Sequence, residues 1–206
     1  MDESISESPI AILRRETANL HREAEQIFPV MRNYLTLLEY GEVLRVLSEM
    51  YRSIEQQIPL CPSSIIQRFA DERRRFPTLE DDLSSLSFNS NDGYLIQQLP
   101  QTPLLESEAS WLGTLYVTEG SRLGGVYIAR HLEKHFGFSD GKGYSFFAGA
   151  GRKTREEWQV FCELCNELVD KTTITQVVDS AKLAFGWFGD CFRSLDCAER
   201  NKDSLD

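Results

Sequence analysis

The sequence predicts an all-α fold, and three observations lead to that prediction. Apolar residues recur at helical spacing along most of the 206-residue chain, and hardly any stretch alternates apolar and polar residues as a half-buried strand does. Prolines and glycine-rich segments divide the chain into lengths typical of helices. A hydrophobic content of 41% is enough for a core. We therefore predict a single-domain bundle of six to eight helices at 9–196, between tails at 1–8 and 197–206.

The predicted helices follow from these signals in chain order. A first helix starts near Pro9, a residue well suited to a first turn, and ends before Pro29, with Leu13 and Thr17 on its buried seam. A second helix has apolar positions from Leu38 to Ile54. This second helix spans 35–58 and is followed by short helices at 63–76 and 78–86, the latter with a solvated acidic start. A loop at 87–103 with one helical turn leads to a long helix at 105–136. After a glycine-rich connection, two more helices are predicted at 153–170 and 175–194.

Charge and cysteine content narrow the class of protein. A net charge of −10 argues against nucleic-acid binding, which needs a basic surface. No run reaches the roughly 18 apolar residues of a membrane span, and the acidic start "MDESISESPI" lacks the layout of a signal peptide. The five cysteines form no regular framework, and Cys162 and Cys165 fall inside a predicted helix. We expect a cytoplasmic protein that acts on a small molecule, without nucleic-acid or membrane partners.

The long helix, "WLGTLYVTEGSRLGGVYIARHLEKHF", contains four glycines. Each costs roughly 0.5–1 kcal/mol relative to alanine in a helix interior, so the sequence must gain something from them. Positions 113, 117, 120, 124 and 128 form one stripe along the helix, and three of these are glycine. The stripe fits a groove that faces a ligand. Close packing of helices, or a break at "EGSRLGG", explains it as well.

The segment "ETANLHREAEQ" places Thr17, His21 and Glu25 four residues apart on one helix face. A neutral imidazole can bind a metal through one nitrogen while a carboxylate holds the other. An ordinary, partly buried histidine beside an acid gives the same pattern. Because no H-x-x-x-H or Glu-x-x-His set accompanies His21, a metal held only by protein is poorly supported. A single histidine fits better with iron that a macrocycle already holds.

At these segments the sequence resembles the heme oxygenase family. "LRRETANLHREAEQ" is similar to the family's first helix, "YVTEGSRLGGVYIARHL" to its distal helix, and "SAKLAFGWF" at 180–188 to its closing helix. The three segments occur in family order, and the resemblance extends over residues 10–195. The distal segment most resembles the bacterial branch, which includes members associated with bacteriophytochromes. The resemblance implies a bundle in which heme lies between the first helix and a glycine-kinked distal helix.

The resemblance also implies roles for individual residues. His21 becomes the proximal iron ligand, and Glu25 its hydrogen-bonding partner. Arg14 matches a basic position that pairs with a heme propionate, and an arginine can hold a carboxylate with two hydrogen bonds. Thr17 and Tyr116 are expected to contact the heme. The distal wall, expected to be catalytic, consists of Gly120, Ser121, Gly124 and Gly125.

Two departures from the family pattern stand out. Ser121 takes the place of an aspartate that organises distal water in animal-type members, although bacterial relatives often lack it too. Trp158 and Cys162 stand where a basic pair is expected for the second propionate, and the nearby substitutes are Arg152, Lys153 and Arg155. From the residues alone, Trp158 and Trp187 are assigned to the core, and His131 and His135 to solvent-facing or capping positions.

The implied activity is the oxidative opening of heme to biliverdin with release of CO and iron. Heme would be substrate and cofactor, O2 the oxidant, and a ferredoxin or reductase the external electron donor, because no dinucleotide-binding motif is present. A bilin-accepting phytochrome is a further possible partner. Two alternatives stay open: a heme carrier of the same fold, which the loss of the aspartate suggests, and a thiaminase-like hydrolase with Cys191 or Cys162 as nucleophile.

Overall fold

Eight α-helices make up most of the computed structural model, which describes residues 7–88 and 99–202 and contains no strand within those ranges. The all-α prediction is confirmed. The helices are α1 (Pro9–Ile27), α2 (Leu37–Glu55), α3 (Ser64–Asp71), α4 (Phe76–Ser85), α5 (Glu108–Phe136), α6 (Ser145–Ala148), α7 (Thr154–Leu168) and α8 (Ile174–Lys202), with single 3-10 turns at Pro29–Met31, Ile58–Leu60 and Gly151–Lys153. Residues 1–6 of the predicted tail and most of the predicted loop at 87–103 lie outside the described residues, whereas α8 continues into 197–206.

The starts of α1 and α2 follow from local sequence signals. The Ser8 hydroxyl accepts a hydrogen bond from the Ala11 amide at 3.3 Å, and Pro9 occupies the first turn of α1. Thr36 and Glu39 form a reciprocal capping box at α2. Leu38, the first of the apolar positions noted for this helix, does not face the core. Because α2 begins only at Leu37, Leu38 lies in its first turn and is 62% exposed.

The acidic start predicted for the helix at 78–86 is not fully solvated. Asp82 on α4 is only 1% exposed. Its carboxylate accepts hydrogen bonds from the Ser145 amide (2.9 Å), the Ser145 hydroxyl (2.7 Å) and the Phe146 amide (2.8 Å), so it caps the short helix α6. Burial raises the pKa of Asp82, and these hydrogen bonds oppose that effect. Local pattern could not reveal this contact, because Asp82 and Ser145 are 63 residues apart.

The long helix α5 runs without interruption through "EGSRLGG", so the alternative of two helices broken at that segment is wrong. It packs against α8, α6 and α7, and α8 in turn packs against α1. A Cβ atom built on Gly113 would lie 2.6 Å from the Ala181 nitrogen of α8, and one built on Gly125 would lie 2.5 Å from the Phe147 carbonyl oxygen of α6. Close packing therefore explains these two glycines.

The far end of α5 is tied to the segment that follows α1. The His135 Nε2 atom lies 2.7 Å from the Leu35 carbonyl oxygen. Since a carbonyl only accepts, Nε2 carries the proton and donates it. His135 is half-buried and stacks on His131 with ring centroids 5.4 Å apart. His135 therefore caps a carbonyl group of another segment and not one of its own helix.

Candidate functional site

His21 projects from α1 with 55% of its side chain exposed. Its Nδ1 atom lies 3.5 Å from the Glu25 carboxylate, as the four-residue spacing predicts. The imidazole meets the ring of Phe185 on α8 edge-to-face, with centroids 6.0 Å apart. With Nδ1 turned toward Glu25, Nε2 is the ring nitrogen left to bind a metal.

Thr17 and Tyr116 join α1 to α5 one helical turn away from His21. The buried Thr17 hydroxyl donates to the Leu13 carbonyl at 2.7 Å and lies 3.4 Å from the Tyr116 hydroxyl. The Tyr116 ring lies 6.4 Å from Phe185 and 6.0 Å from Trp158, measured between centroids. We call Tyr116 of α5, Trp158 of α7 and Phe185 of α8 the aromatic floor, because the Tyr116 ring neighbours both of the others.

The glycines of the predicted distal wall differ in how much space surrounds them. A Cβ atom built on Gly124 meets nothing within 4 Å, and one built on Gly120 comes only to 3.6 Å from the Trp158 ring. Ser121 between them is exposed, and its hydroxyl donates to the Thr118 carbonyl at 2.8 Å. Gly125 is buried against α6 and has a packing reason of its own. The open face of α5 therefore lies at Gly120, Ser121 and Gly124.

The residues predicted to pair with the heme propionates lie on different helices. Arg14 is exposed on α1. Lys153 and Arg155 are exposed at the start of α7. The side chain of Arg152 lies outside the described part of the chain.

The assignment of both tryptophans to the core holds for only one of them. Trp187 is buried, and its indole nitrogen donates to the Pro100 carbonyl at 3.1 Å. Trp158 is half-buried and belongs to the aromatic floor beside Gly120. Trp158 stands where the family pattern has a basic residue. This departure was the signal in the sequence that could have assigned Trp158 to the site.

A set of buried charges behind the open face of α5 was not predicted. Glu119 is 4% exposed and lies 2.9 Å from the guanidinium of Arg122, whose side chain is 10% exposed. Arg122 also pairs with Glu157 on α7, and Arg73 approaches Glu119 to 3.7 Å. We call Arg73, Glu119, Arg122 and Glu157 the buried ion cluster. Burial raises the pKa of Glu119, and the neighbouring arginines oppose that rise.

The thiols are poorly suited to nucleophilic chemistry. Burial raises the pKa of both Cys191 and Cys165 to about 12, whereas an activated thiol needs a lowered pKa and access to substrate. In the described ranges, no group of three or more His, Cys, Asp or Glu side chains could hold a metal ion. The chemistry available at this site is therefore that of one imidazole.

Two cavities lie away from His21. One, of about 160 Å³, is lined by Met50, Pro100 and Trp187 among others, and the second, of about 290 Å³, lies between α3 and α7. Neither includes a residue of the predicted site. None of the helices in the described residues is long and apolar enough to cross a membrane.

The described residues form an all-helical fold that combines the accessible imidazole of His21, the aromatic floor and a glycine-rich face of α5. Residues 10–194 match the family model described as Heme oxygenase. The chain belongs to the heme oxygenase family.

Relatives with known names agree with this assignment. A heme oxygenase of Xanthomonas campestris pv. campestris (strain 8004) is 35% identical over 95 residues, which are 46% of this chain. The match spans about half of that relative, 53% of its length. This relative and the family model support the predicted resemblance.

Solved structures of bacterial heme oxygenases share the fold. The NO- and CO-bound enzyme from Neisseria meningitidis has a TM-score of 0.77 at 17% identity and covers 92% of both chains. The enzyme from Leptospira interrogans has a TM-score of 0.75 at 20% identity, covering 90% of this chain and 98% of that one. Heme oxygenase-2 from Synechocystis, in complex with heme and NO, has a TM-score of 0.74 at 17% identity, covering 93% and 86%. The predicted heme-oxygenase-like bundle is confirmed.

Proposed function

We propose that the protein is a heme oxygenase that converts heme to biliverdin, CO and free iron. The observation that carries this proposal is the accessible imidazole of His21, which contacts Phe185 of the aromatic floor. The family match over residues 10–194 supports it. Heme would be both substrate and cofactor, and it supplies the iron that binds O2 and the porphyrin edge that is oxidised.

On the α1 side, His21 would bind the iron through Nε2. Glu25 would accept a hydrogen bond from Nδ1–H, which fixes the tautomer and orients the ring. Arg14 would hold one propionate, since its planar guanidinium matches a carboxylate. Thr17 and Tyr116 would contact the heme edge and keep α1 at a fixed distance from α5.

On the α5 side, the open face lets the backbone approach the porphyrin closely. Gly124 leaves open space for a flat ligand, Gly120 allows the Trp158 ring to pack beside it, and Gly125 lets α6 support this part of α5 from behind. Ser121 would present its hydroxyl oxygen to the reacting side, in the place of the family's aspartate. Polar groups that are positioned in advance can direct oxidation to one edge of the ring.

The overall reaction needs an external supply of electrons. One meso carbon leaves as CO, and oxygen from O2 enters that CO and the two lactam ends of biliverdin. The remaining oxygen is reduced to water by electrons from a ferredoxin or reductase and by protons from solvent. A cytoplasmic location suits the free thiols Cys61, Cys162, Cys165 and Cys191, and a bilin-accepting phytochrome is the product's expected recipient.

The test is to titrate the purified protein with hemin, record the Soret band, and then add a ferredoxin–reductase pair in air. We expect a shifted Soret band and a green pigment that chromatographs as biliverdin. His21→Ala should abolish pigment formation and lose the histidine-bound spectrum, and added imidazole should restore that spectrum. His131→Ala, which removes a histidine remote from the site, should behave as the unaltered protein does.

Two results would contradict the proposal. Absence of any Soret change on hemin addition would exclude heme as the ligand. A stable oxygen complex without pigment would indicate a heme carrier instead.

A further inference from the structure

A groove of about 290 Å³ between α3 and α7 lies outside the proposed heme site. Its base is apolar, because the side chains of Phe69 and Leu164 line it and are only 7% and 8% exposed. Ile65 and Val160, which also line the groove, extend this apolar surface toward solvent and are 40% and 45% exposed. Apolar surface that is held open in a concave shape is typical of sites for small organic ligands.

The two sides of this groove carry opposite charges. Arg68 and Arg73 line it on the α3 side, and Glu163 and Glu167 line it on the α7 side. The two glutamates are four residues apart and therefore share one face of α7. Among the described residues, no ion pair joins the α3 side of the groove to these glutamates. A molecule that lies between the two helices thus meets cations on one side and carboxylates on the other.

Arg73 has a fixed position in the groove. Its side chain is 14% exposed, and the guanidinium carbon lies 3.7 Å from the centroid of the Phe69 ring. Its Nε atom lies 3.7 Å from the Glu119 carboxylate of the buried ion cluster, and its Nη1 atom lies 3.8 Å from Glu72 at the surface. If Arg73 turned away, a buried carboxylate would lose one of its partners. A guanidinium held in this way pairs with a carboxylate at little cost in side-chain freedom.

We propose that this groove binds a small zwitterion with an apolar body, of the chemical class of the aliphatic α-amino acids. The carboxylate of the ligand pairs with Arg68 and Arg73, and its ammonium group pairs with Glu163 and Glu167. Its alkyl chain covers the apolar base of the groove. A ligand with a single charge leaves the side chains opposite it without a partner while removing them from water, which is unfavourable. This site is separate from His21 and does not depend on the proposed function.

Three probes with the same alkyl chain test this proposal by isothermal titration calorimetry on the full-length protein. L-Leucine carries both charges, 3-methylbutylamine carries only the cation, and 4-methylpentanoate carries only the carboxylate. We expect L-leucine to bind at least about tenfold more tightly than either analogue, because each analogue lacks one set of charge-assisted hydrogen bonds. Equal affinities for L-leucine and 3-methylbutylamine would show that the glutamates attract any cation, and the proposal would then be wrong.

Substitutions at the exposed charges locate the binding and separate its two halves. The double variant Glu163→Gln/Glu167→Gln should weaken L-leucine binding by about tenfold and should not weaken binding of 4-methylpentanoate. Arg68→Gln should weaken binding of both these probes and should not weaken binding of 3-methylbutylamine. Glu156→Gln, at an exposed position of α7 outside the groove, is the matched control. Absence of measurable L-leucine binding, or equal binding by the double variant and the unaltered protein, would overturn the proposal.

Discussion

The two sides of the proposed heme site, which are α1 with His21 and the open face of α5, are held in opposite ways. We call them the two walls. On α1, the pair of His21 and Glu25 is largely solvent-exposed, at 3.5 Å, and the imidazole touches the body of the protein through the edge of Phe185. On α5, the charges of Glu119 and Arg122 are buried within 2.9 Å of each other. The proposed iron ligand is therefore accessible, whereas the proposed distal face of α5 stands beside buried charges.

Support for the α5 wall extends through two further helices. Asp82 of α4 caps α6, and the Phe147 carbonyl of α6 lies where Gly125 of α5 has no side chain. The open face at Gly124 thus lies directly beside one of the most closely packed positions of the helix. Four sets of substitutions test this contrast between the walls, and they follow in order of decreasing expected effect.

Arg122→Met should be the most damaging of these changes to the heme-free protein. It removes the 2.9 Å partner of the buried Glu119 carboxylate, and Arg73 then remains at 3.7 Å. We expect a loss of about 3 kcal/mol in the free energy of unfolding, or about 6–12 °C in Tm for a chain of this size, measured by urea and thermal denaturation. Arg130→Met, an exposed position of the same helix, should change stability by less than about 0.5 kcal/mol. Equal losses in the two variants would show that the cluster does not hold the wall.

Gly125→Ala and Gly124→Ala should differ in sign although the residues are neighbours. A Cβ on Gly125 would collide with the Phe147 carbonyl at 2.5 Å, so we expect a loss of about 1–3 kcal/mol in the stability of the heme-free protein. A Cβ on Gly124 meets open space, so alanine should stabilise the helix by about 0.5–1 kcal/mol. Hemin titration should nevertheless show weaker binding for Gly124→Ala. If both variants lose stability alike, Gly124 does not lie on an open face.

Glu25→Gln tests the exposed wall. The carboxylate is 68% exposed and orients His21 from 3.5 Å, so its loss should lower hemin affinity by about tenfold, the lower end of the usual effect for such partners. Stability of the heme-free protein should change by less than about 0.5 kcal/mol. Glu23→Gln is the matched control, because a residue two positions from His21 lies on another face of α1. An effect of the same size from Glu23→Gln would mean that net charge alone is responsible.

The smallest effect is expected at the start of α8, the helix that packs against both walls. Hydrogen bonds from Thr172 and Thr173 lower the pKa of Asp170 to about 2. Because the folded pKa lies below the unfolded value of about 3.9, the ionised group favours the folded state above about pH 4, and this contribution disappears as the pH falls toward 2. Asp170→Ala should therefore be slightly less stable at neutral pH, with a difference that vanishes in acid. Asp179→Ala, which removes an exposed carboxylate of the same helix, is the matched control.

Local signals were sufficient for the helices and for one part of the site. Proline at the first turn of α1, the capping box of α2 and helical periodicity are all properties of neighbouring residues, and the structure follows them. The His21–Glu25 pair could be predicted for the same reason, because four residues in a helix fix the distance between two side chains. The functional role of this pair stays a prediction.

Contacts between distant segments were not predictable in this way. Periodicity cannot tell that Gly113 and Gly125 face backbone while Gly124 faces open space, since all lie on one helix. The burial of Asp82 depends on Ser145, and the position of Trp158 depends on the pair of Arg122 with Glu157, 35 residues away. These contacts arise only when α4, α5, α6 and α7 are assembled, and they decide which face of α5 is free.

The hydrogen bond from His135 to the Leu35 carbonyl ties two distant parts of the chain together. It joins the end of α5 to the chain that leaves α1, about 16 Å along the helix from Gly124. A substitution of His135, several turns away from the open face of α5, would therefore remove a link between α5 and the segment that follows α1.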